Sequence, residues 1–247
     1  MSPDSLLDLF HDIADDVQDA LDAVTDWGPS GRRDSQYAAD LVADGIVLER
    51  LRAHGLGVLS EESGAENVDR PIVVIVDPLD GSTNASRRVP HFATSLCAVD
   101  GDGALVALVA HQAGGPRWWA IRGHGAWRNG RIIERPSARP WSSALVAVSG
   151  RPPSDPGWGQ FRSFGASAID LCFVADGTVD AFIDMSPSAH GVWDYAGAAL
   201  VCAEVGVEVR DAAGRELLVL DHAARRTPVA APASLIEDAL ALRSRAN

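Results

Sequence analysis

Apolar residues recur at helical spacing over 5–24, at Leu6, Leu9, Phe10, Ile13, Val17, Leu21 and Val24, with acids on the opposite face. That period predicts an amphipathic helix. After a turn-rich break (TDWGPSGRRDS, 25–35), a second helical pattern over about 36–53 carries Leu41, Val42, Val47, Leu48 and Leu51 and stops near Gly55. The period then shortens. GVLSEE (57–62) and PIVVIVD (71–77) read as strands, the second apolar at successive positions as in a strand covered on both faces. From 92 to 135, strand-like runs separated by DGDG, QAGGP and RGHGAWRNGR predict an antiparallel meander. The stretch 136–160 is rich in Pro, Ser and Gly, holds one strand candidate (ALVAVSG) and marks the best boundary. Beyond it come a helix near 166–175, a strand at 179–184, a helix at 194–205, a strand at 207–209 and a helix at 233–243. The expectation is one α/β domain of layered sheets with helices outside, spanning 1–247 as two subdomains, 1–140 and 141–247.

At 247 residues the chain needs no disulfide or metal merely to fold, and 47% hydrophobic with 22% charged residues is globular composition. Acids outnumber bases 34 to 21, for a net charge of -13. This disfavours binding to a nucleic-acid polymer or an anionic membrane and suits carboxylates gathered around a cation. All 21 basic residues are arginine, which removes Schiff-base chemistry, the phosphate-loop lysine and the kinase lysine. Cys97, Cys172 and Cys202 lie in apolar runs without metal-ligand spacing, the usage expected of buried thiols in a cytoplasmic protein. The N-terminus is acidic and amphipathic, unlike a signal peptide, and no apolar run approaches ~18 residues.

Five acidic residues at three places stand out. Glu61 and Glu62 end one predicted strand, Asp77 and Asp80 flank Pro78-Leu79 at the end of the most apolar strand, and Asp194 opens a predicted helix. Ligands of open α/β sheets gather beyond the carboxyl ends of strands. Converging carboxylates cannot all stay ionised without a cation, and an all-oxygen donor set selects Mg²⁺, Mn²⁺ or Ca²⁺. Gly81-Ser82-Thr83-Asn84 follows at once, and a helix starting there places amides for an anion beside the metals. Metal-assisted phosphoryl hydrolysis is the chemistry this implies, with Ser82 and Glu61 placed to orient a water or accept its proton.

SEES, DPLDGSTN and WDYAGAA, with GHGAWRNG and FGASAIDLCFVADGTVDAFID between them, resemble the inositol monophosphatase family over nearly the whole chain. The resemblance implies an αβαβα sandwich and a magnesium-dependent, lithium-sensitive phosphatase that acts as a homodimer on a small phosphorylated metabolite. It implies two or three Mg²⁺ ions, with Mn²⁺ as an alternative. Glu61, Asp77 and the Leu79 carbonyl would hold the first ion, Asp77, Asp80 and Asp194 the second, and Glu61 would share a third. Ser82 stands where the family has Thr, activating the water. Asp44 resembles the helix aspartate behind that hydroxyl, with Asp40 as its rival. Gly81, Ser82 and Thr83 fall at the phosphate, and Gly165, Ala166, Ser167 and Asp184 where the family contacts the alcohol.

The chain departs from the family pattern at Ser60, usually Gly, and in having no lysine before the helix aspartate. The segment SPSAHG is about three residues longer than in inositol-specific members, which bears on Asp184. Inositol-1-phosphate or a near relative is the expected substrate. Histidinol phosphate, fructose-1,6-bisphosphate and 3′-phosphoadenosine 5′-phosphate are the alternatives, and Arg87 and Arg88 are candidates for a second phosphate. A non-catalytic phosphometabolite-binding regulator is the alternative of another class. His190 is equally a ligand contact or an exposed loop residue. Trp193, Trp118, Trp119 and Trp127 are expected in packing, and Glu62 behind the ligands at most.

Overall fold

Side chains alternate in direction along a strand, and two such alternations orient the molecule. In the computed structural model, which describes residues 1–33, 36–154, 156–186 and 189–245, the first sheet is built from β1 (Gly57–Ser60), β2 (Gly64–Glu66), β3 (Val73–Asp80), β4 (Ala93–Asp100), β5 (Gly103–His111), β6 (Arg117–Ile121), β7 (Gly125–Arg128) and β8 (Arg131–Ile132). Their order is β2-β1-β3-β4-β5-β6-β7-β8, with β1 and β3 parallel and every other neighbour antiparallel. Val74, Val76, Leu96, Ala98, Val106 and Leu108 face a core shared with α1 (Pro3–Ala23) and α2 (Ala38–Ala53). Val73, Ile75, Cys97, Ala107 and Val109 face the other way, onto α4 (Ser167–Ala175) and α5 (Ala196–Glu204).

The second sheet comprises β9 (Leu145–Gly150), β10 (Gln160–Arg162), β11 (Ala181–Met185), β12 (Val207–Asp211) and β13 (Pro228–Pro232), in the order β10-β9-β11-β13-β12. Ala147 and Phe182 join the α4–α5 core, while Val146, Val148, Ala181 and Ile183 pack with α6 (Ile236–Arg245). The layers therefore run α1/α2, first sheet, α4/α5, second sheet, α6: the expected αβαβα sandwich. The meander over 92–135 is present as β4 to β8. The two sheets divide the chain between Ile132 and Leu145.

Two details differ from the sequence reading. Val42 is exposed, because the buried stripe of α2 runs through Ala39, Asp40, Ala43, Asp44, Val47, Leu48 and Leu51. Two aspartates thus occupy an inward face that hydropathy assigns to apolar residues. Strands β2, β10 and β13 were not expected: the first two have three residues each, and β13 (PVAAP) is bounded by prolines. Residues 34 and 35 of the first break, 155 of the Pro-rich stretch, and 187 and 188 of the longer loop lie outside the described residues. Cys97, Cys172 and Cys202 are buried free thiols. No helix among the described residues is long and apolar enough to cross a membrane.

Candidate active site

The site is organised by one residue that cannot donate to a ladder. Pro78 has no N–H, and the β3–β4 register shifts between Asp77 (opposite Ser95) and Asp80 (opposite Ala93), leaving one extra residue on β3. Thr94 Oγ1 donates to the Pro78 carbonyl at 3.0 Å, and the Leu79 amide turns to Asp77 Oδ1 at 3.1 Å. The Leu79 side chain enters the α1/α2 core. The bulge presents Asp77 and Asp80 together at the strand end. Gly81 then turns the chain with φ +85° into α3 (Ser82–Ser86), and a Cβ there would meet the His91 carbonyl oxygen at 2.9 Å, Ala166 Cβ at 3.0 Å and the Gly165 carbonyl oxygen at 3.1 Å. Only glycine satisfies both the dihedral and the contact.

Other elements converge on the bulge. Ser60 pairs with Val76 in parallel register and the Glu61 amide donates to the Val76 carbonyl at 3.1 Å, which sets Glu61 beside Asp77. Asp194 closes a 3₁₀ turn (Val192–Asp194) by accepting from the Gly191 amide at 2.7 Å. Asp80 Oδ2 accepts from the Ala168 amide in the first turn of α4 at 2.7 Å. Asp77, Asp80 and Asp194 offer carboxylate oxygens within 4.8 Å of one another.

This concentration of acid is reflected in the titration of each group. Burial, then Asp194, Glu62 and Asp80, pushes Glu61 up to about 9. Burial followed by Glu61 raises Asp77 well above the carboxylate range, and burial followed by Asp194 does the same for Asp80. Asp77 Oδ2 is buried without a hydrogen-bond partner. A buried anion is expensive unless paired, and an orphaned carboxylate oxygen amid three further acids matches the donor set of a hard divalent cation. The residues present fit such an ion.

A cavity of about 220 Å³ opens beside the cluster, lined by Glu61, Asp40, Ser82, Glu62, Gln36, Trp193 and three basic groups, Arg33, His222 and Arg225. His222 Nε2 lies 3.0 Å from the Glu61 carbonyl oxygen and its ring packs 4.7 Å from that of Trp193, over which Arg225 also sits at 5.1 Å. Arg33 and Gln36 both donate to Glu62.

A profile described as the inositol monophosphatase family matches residues 10–246. The chain belongs to that family. It is 32% identical over 222 residues, 85% of this chain and 86% of the relative, to a fructose-1,6-bisphosphatase/inositol-1-monophosphatase of Archaeoglobus fulgidus. It is 29% identical over 217 residues, 81% of this chain and 78% of the relative, to Nus factor SuhB of Escherichia coli. A Pyrococcus horikoshii protein described as having similarities to inositol-1 monophosphatase shares the fold, with a TM-score of 0.89 over 98% of this chain and 99% of that one at 22% identity. As a member of the inositol monophosphatase family, the chain is a phosphatase, a phosphoric monoester hydrolase.

Among the positions the family resemblance selects, Glu61, Asp77, Asp80, Ser82 and Asp194 lie together. Thr83 is exposed, with its hydroxyl 3.3 Å from that of Tyr37. Gly165 and Ala166 pack directly on Gly81, and Asn84 Nδ2 bonds the Phe164 carbonyl at 2.7 Å, so the two halves of the chain meet at this point.

Two family-derived positions stand elsewhere. Asp44 is one helical turn from the cavity, accepting from Ser60 Oγ at 2.5 Å and from Ser63 Oγ. Its rival Asp40 lines the cavity with Ser82; burial pushes it up to about 7 against the pull of the Tyr37 amide and the Ser82 hydroxyl, and its Oδ1 has no closed hydrogen bond. Asp184 is fully buried, with Oδ1 accepting from the Ser186 amide at 2.8 Å and Oδ2 lying 2.9 Å from His190 Nδ1, and it does not line the cavity. His190 is neither an exposed loop residue nor a cavity residue: it is buried against Asp184 and Ser167. Arg87 and Arg88 are exposed at the end of α3 and do not line the cavity. Arg33, Gln36, His222 and Arg225 escaped sequence reading because they are 25 to 164 residues from Glu61; the basic runs in GRRDS and DHAARR are the local signals they leave.

Proposed function

We propose that the protein hydrolyses a small phosphorylated polyol or sugar, inositol-1-phosphate or a near relative, using Mg²⁺ (Mn²⁺ in its place) in a single catalytic domain formed by both halves of the chain. The observation that carries this reading is the unpaired, buried Asp77 Oδ2 within a triad of aspartates whose oxygens lie inside 4.8 Å. Asp77, Asp80, Asp194 and Glu61, with the Leu79 carbonyl, hold the cations. When bound, these ions supply Lewis-acid charge to the phosphoryl oxygens and lower the pKa of water.

The chain's own groups do the rest. Asp40, raised to about 7, accepts a proton through the Ser82 hydroxyl near neutral pH, close to the value that suits a general base. Asp40 takes the role that the family pattern offered to Asp44. Backbone amides at Gly81, Ser82 and Thr83 receive the phosphate, while Gly165 and Ala166, packed on Gly81, bound the alcohol side. Arg33, His222 and Arg225 at the rim attract an anionic substrate to a protein of net charge -13. Cytoplasmic location, lithium sensitivity and a homodimer follow from the same family reading.

Phosphate release from inositol-1-phosphate, histidinol phosphate, fructose-1,6-bisphosphate and 3′-phosphoadenosine 5′-phosphate, with Mg²⁺ and with EDTA, tests this. One preferred substrate silenced by EDTA and by millimolar lithium is expected. The E. coli relative named a Nus factor favours a second reading, a non-catalytic phosphometabolite-binding regulator. Absence of Mg²⁺-dependent release from the whole panel would establish it instead.

A further inference from the structure

The segment before Asp194 contains a buried chain of three side chains that the hydrolytic site does not use. Ser167 Oγ lies 2.7 Å from His190 Nε2, and His190 Nδ1 lies 2.9 Å from Asp184 Oδ2. None of the three lines the cavity. The same residue types make a hydrolase nucleophile when the imidazole can accept the serine proton. Here it cannot: Nδ1 faces Asp184 Oδ2 as an ion pair without a closed hydrogen bond, and burial draws His190 down while Asp184, Asp194 and Asp80 outweigh it and hold the group at about 9. Its backbone is fixed as well, exchanging hydrogen bonds of 2.7 and 2.9 Å with Arg226.

What the chain grips is the start of α4. Ala166, the residue before Ser167, offers no capping side chain, so the first-turn amides rely on other partners. One of them, Ala168 N–H, holds Asp80 Oδ2 at 2.7 Å. We propose that His190 is a positioning residue for the metal loop: by joining Asp184 to Ser167 it fixes the first turn of α4, and through the Ala168 amide it fixes Asp80. The inference rests on Asp80 as a cation ligand. It also accounts for Ser167 and Asp184, which face each other through His190 and not a substrate alcohol. Partners one step behind a metal ligand set its orientation, and their loss costs roughly 10- to 100-fold in metal affinity.

Mn²⁺ titration of EDTA-stripped protein, followed by electron paramagnetic resonance, tests the inference on wild type and on Asp80→Asn, His190→Gln, Ser167→Ala and Ser167→Thr. Wild type binds and D80N loses most of its affinity. H190Q and S167A each weaken Mn²⁺ by about 10-fold or more, the double variant is no weaker than the worse single, and S167T recovers the affinity because it restores a hydroxyl. H190Q and S167A that melt at lower temperature yet bind Mn²⁺ as wild type does would reduce the chain to structural support and overturn the inference. If H190Q does not fold, S167A, which loses a single hydroxyl, decides alone. Failure of wild type to bind, or indifference of D80N, would overturn the metal assignment instead.

Discussion

Asp77 and Asp184 occupy equivalent places in the two sheets. Each continues the inward-facing series of an interior strand, after Val73 and Ile75 in β3 and after Phe182 in β11. Each is fully buried and turns one oxygen onto the amide two residues ahead, at 3.1 Å for Asp77 and 2.8 Å for Asp184. They part at the second oxygen. Neither closes a hydrogen bond there, but Asp184 Oδ2 lies 2.9 Å from His190 Nδ1 as an ion pair, whereas the charges around Asp77 are those of neighbouring acids. A carboxylate kept for architecture is given its countercharge by the chain, and one left without it is free to meet a cation or a proton from solution. The same contrast recurs on α2, where Asp44 is held by two serine hydroxyls and Asp40, one turn earlier, faces the cavity with an oxygen unsatisfied.

The contrast can be broken most sharply at Asp77. Asp77→Asn is expected to lower phosphate release by more than the about 100-fold that loss of a ligand's support costs, with an unchanged circular dichroism spectrum; near-normal turnover would remove Asp77 from the metal site. Next comes the α2 pair. Asp40→Asn should reduce kcat by about 100-fold, the lower range for loss of general-base assistance, with little effect on folding. Asp44→Asn should cost about 1–3 kcal/mol of stability through its serine partners, with kcat per folded molecule retained. Denaturant unfolding and steady-state kinetics separate the two, and reversal of the pattern would return the proton-accepting role to Asp44.

The smallest effect is in the metal-free protein. Glu61 at about 9 and Asp40 at about 7 both lie above ordinary carboxylates, so the folded state retains protons that the unfolded chain has released. Their contribution is complete below about pH 4 and is lost as pH rises through 7 and then 9; His190, also raised to about 9, acts in the same direction. The melting temperature in EDTA should therefore be lower at pH 9 than at pH 6, by about 3 °C for each kcal/mol lost, and Mn²⁺ should flatten the difference. A midpoint that rises towards pH 9 in EDTA would contradict the assignment of uncompensated acids.

Much of the layer order was legible in the chain, because a five-layer sandwich requires strands apolar on both faces, and 73–76 announces one. The acidic cluster was legible for a related reason: Glu61, Asp77 and Asp80 sit at the ends of predicted strands and Asp194 at the start of a predicted helix. Orientation beyond the first neighbours was not. Hydropathy cannot tell Asp40 from Asp44, which share one helix face and differ only in which serines reach them. Nor could it place Asp184, whose fate depends on a histidine six residues on and a serine 17 residues back. The rim residues His222 and Arg225 were invisible because their partners, Glu61 and Trp193, come from distant segments.

The seam where Gly81 meets Gly165 and Ala166 also has a consequence for synthesis. The ribosome completes β3 long before it makes α4, Asp194 or the segment that carries His222, and at ordinary elongation rates the interval is on the order of ten seconds. Throughout it the nascent chain holds Asp77 and Asp80 without their third aspartate, and the α4/α5 face of the first sheet lies uncovered. The triad of aspartates is thus completed only after most of the chain has been made, and a chain released before Asp194 carries two of the three beside an open apolar face, which is an aggregation hazard.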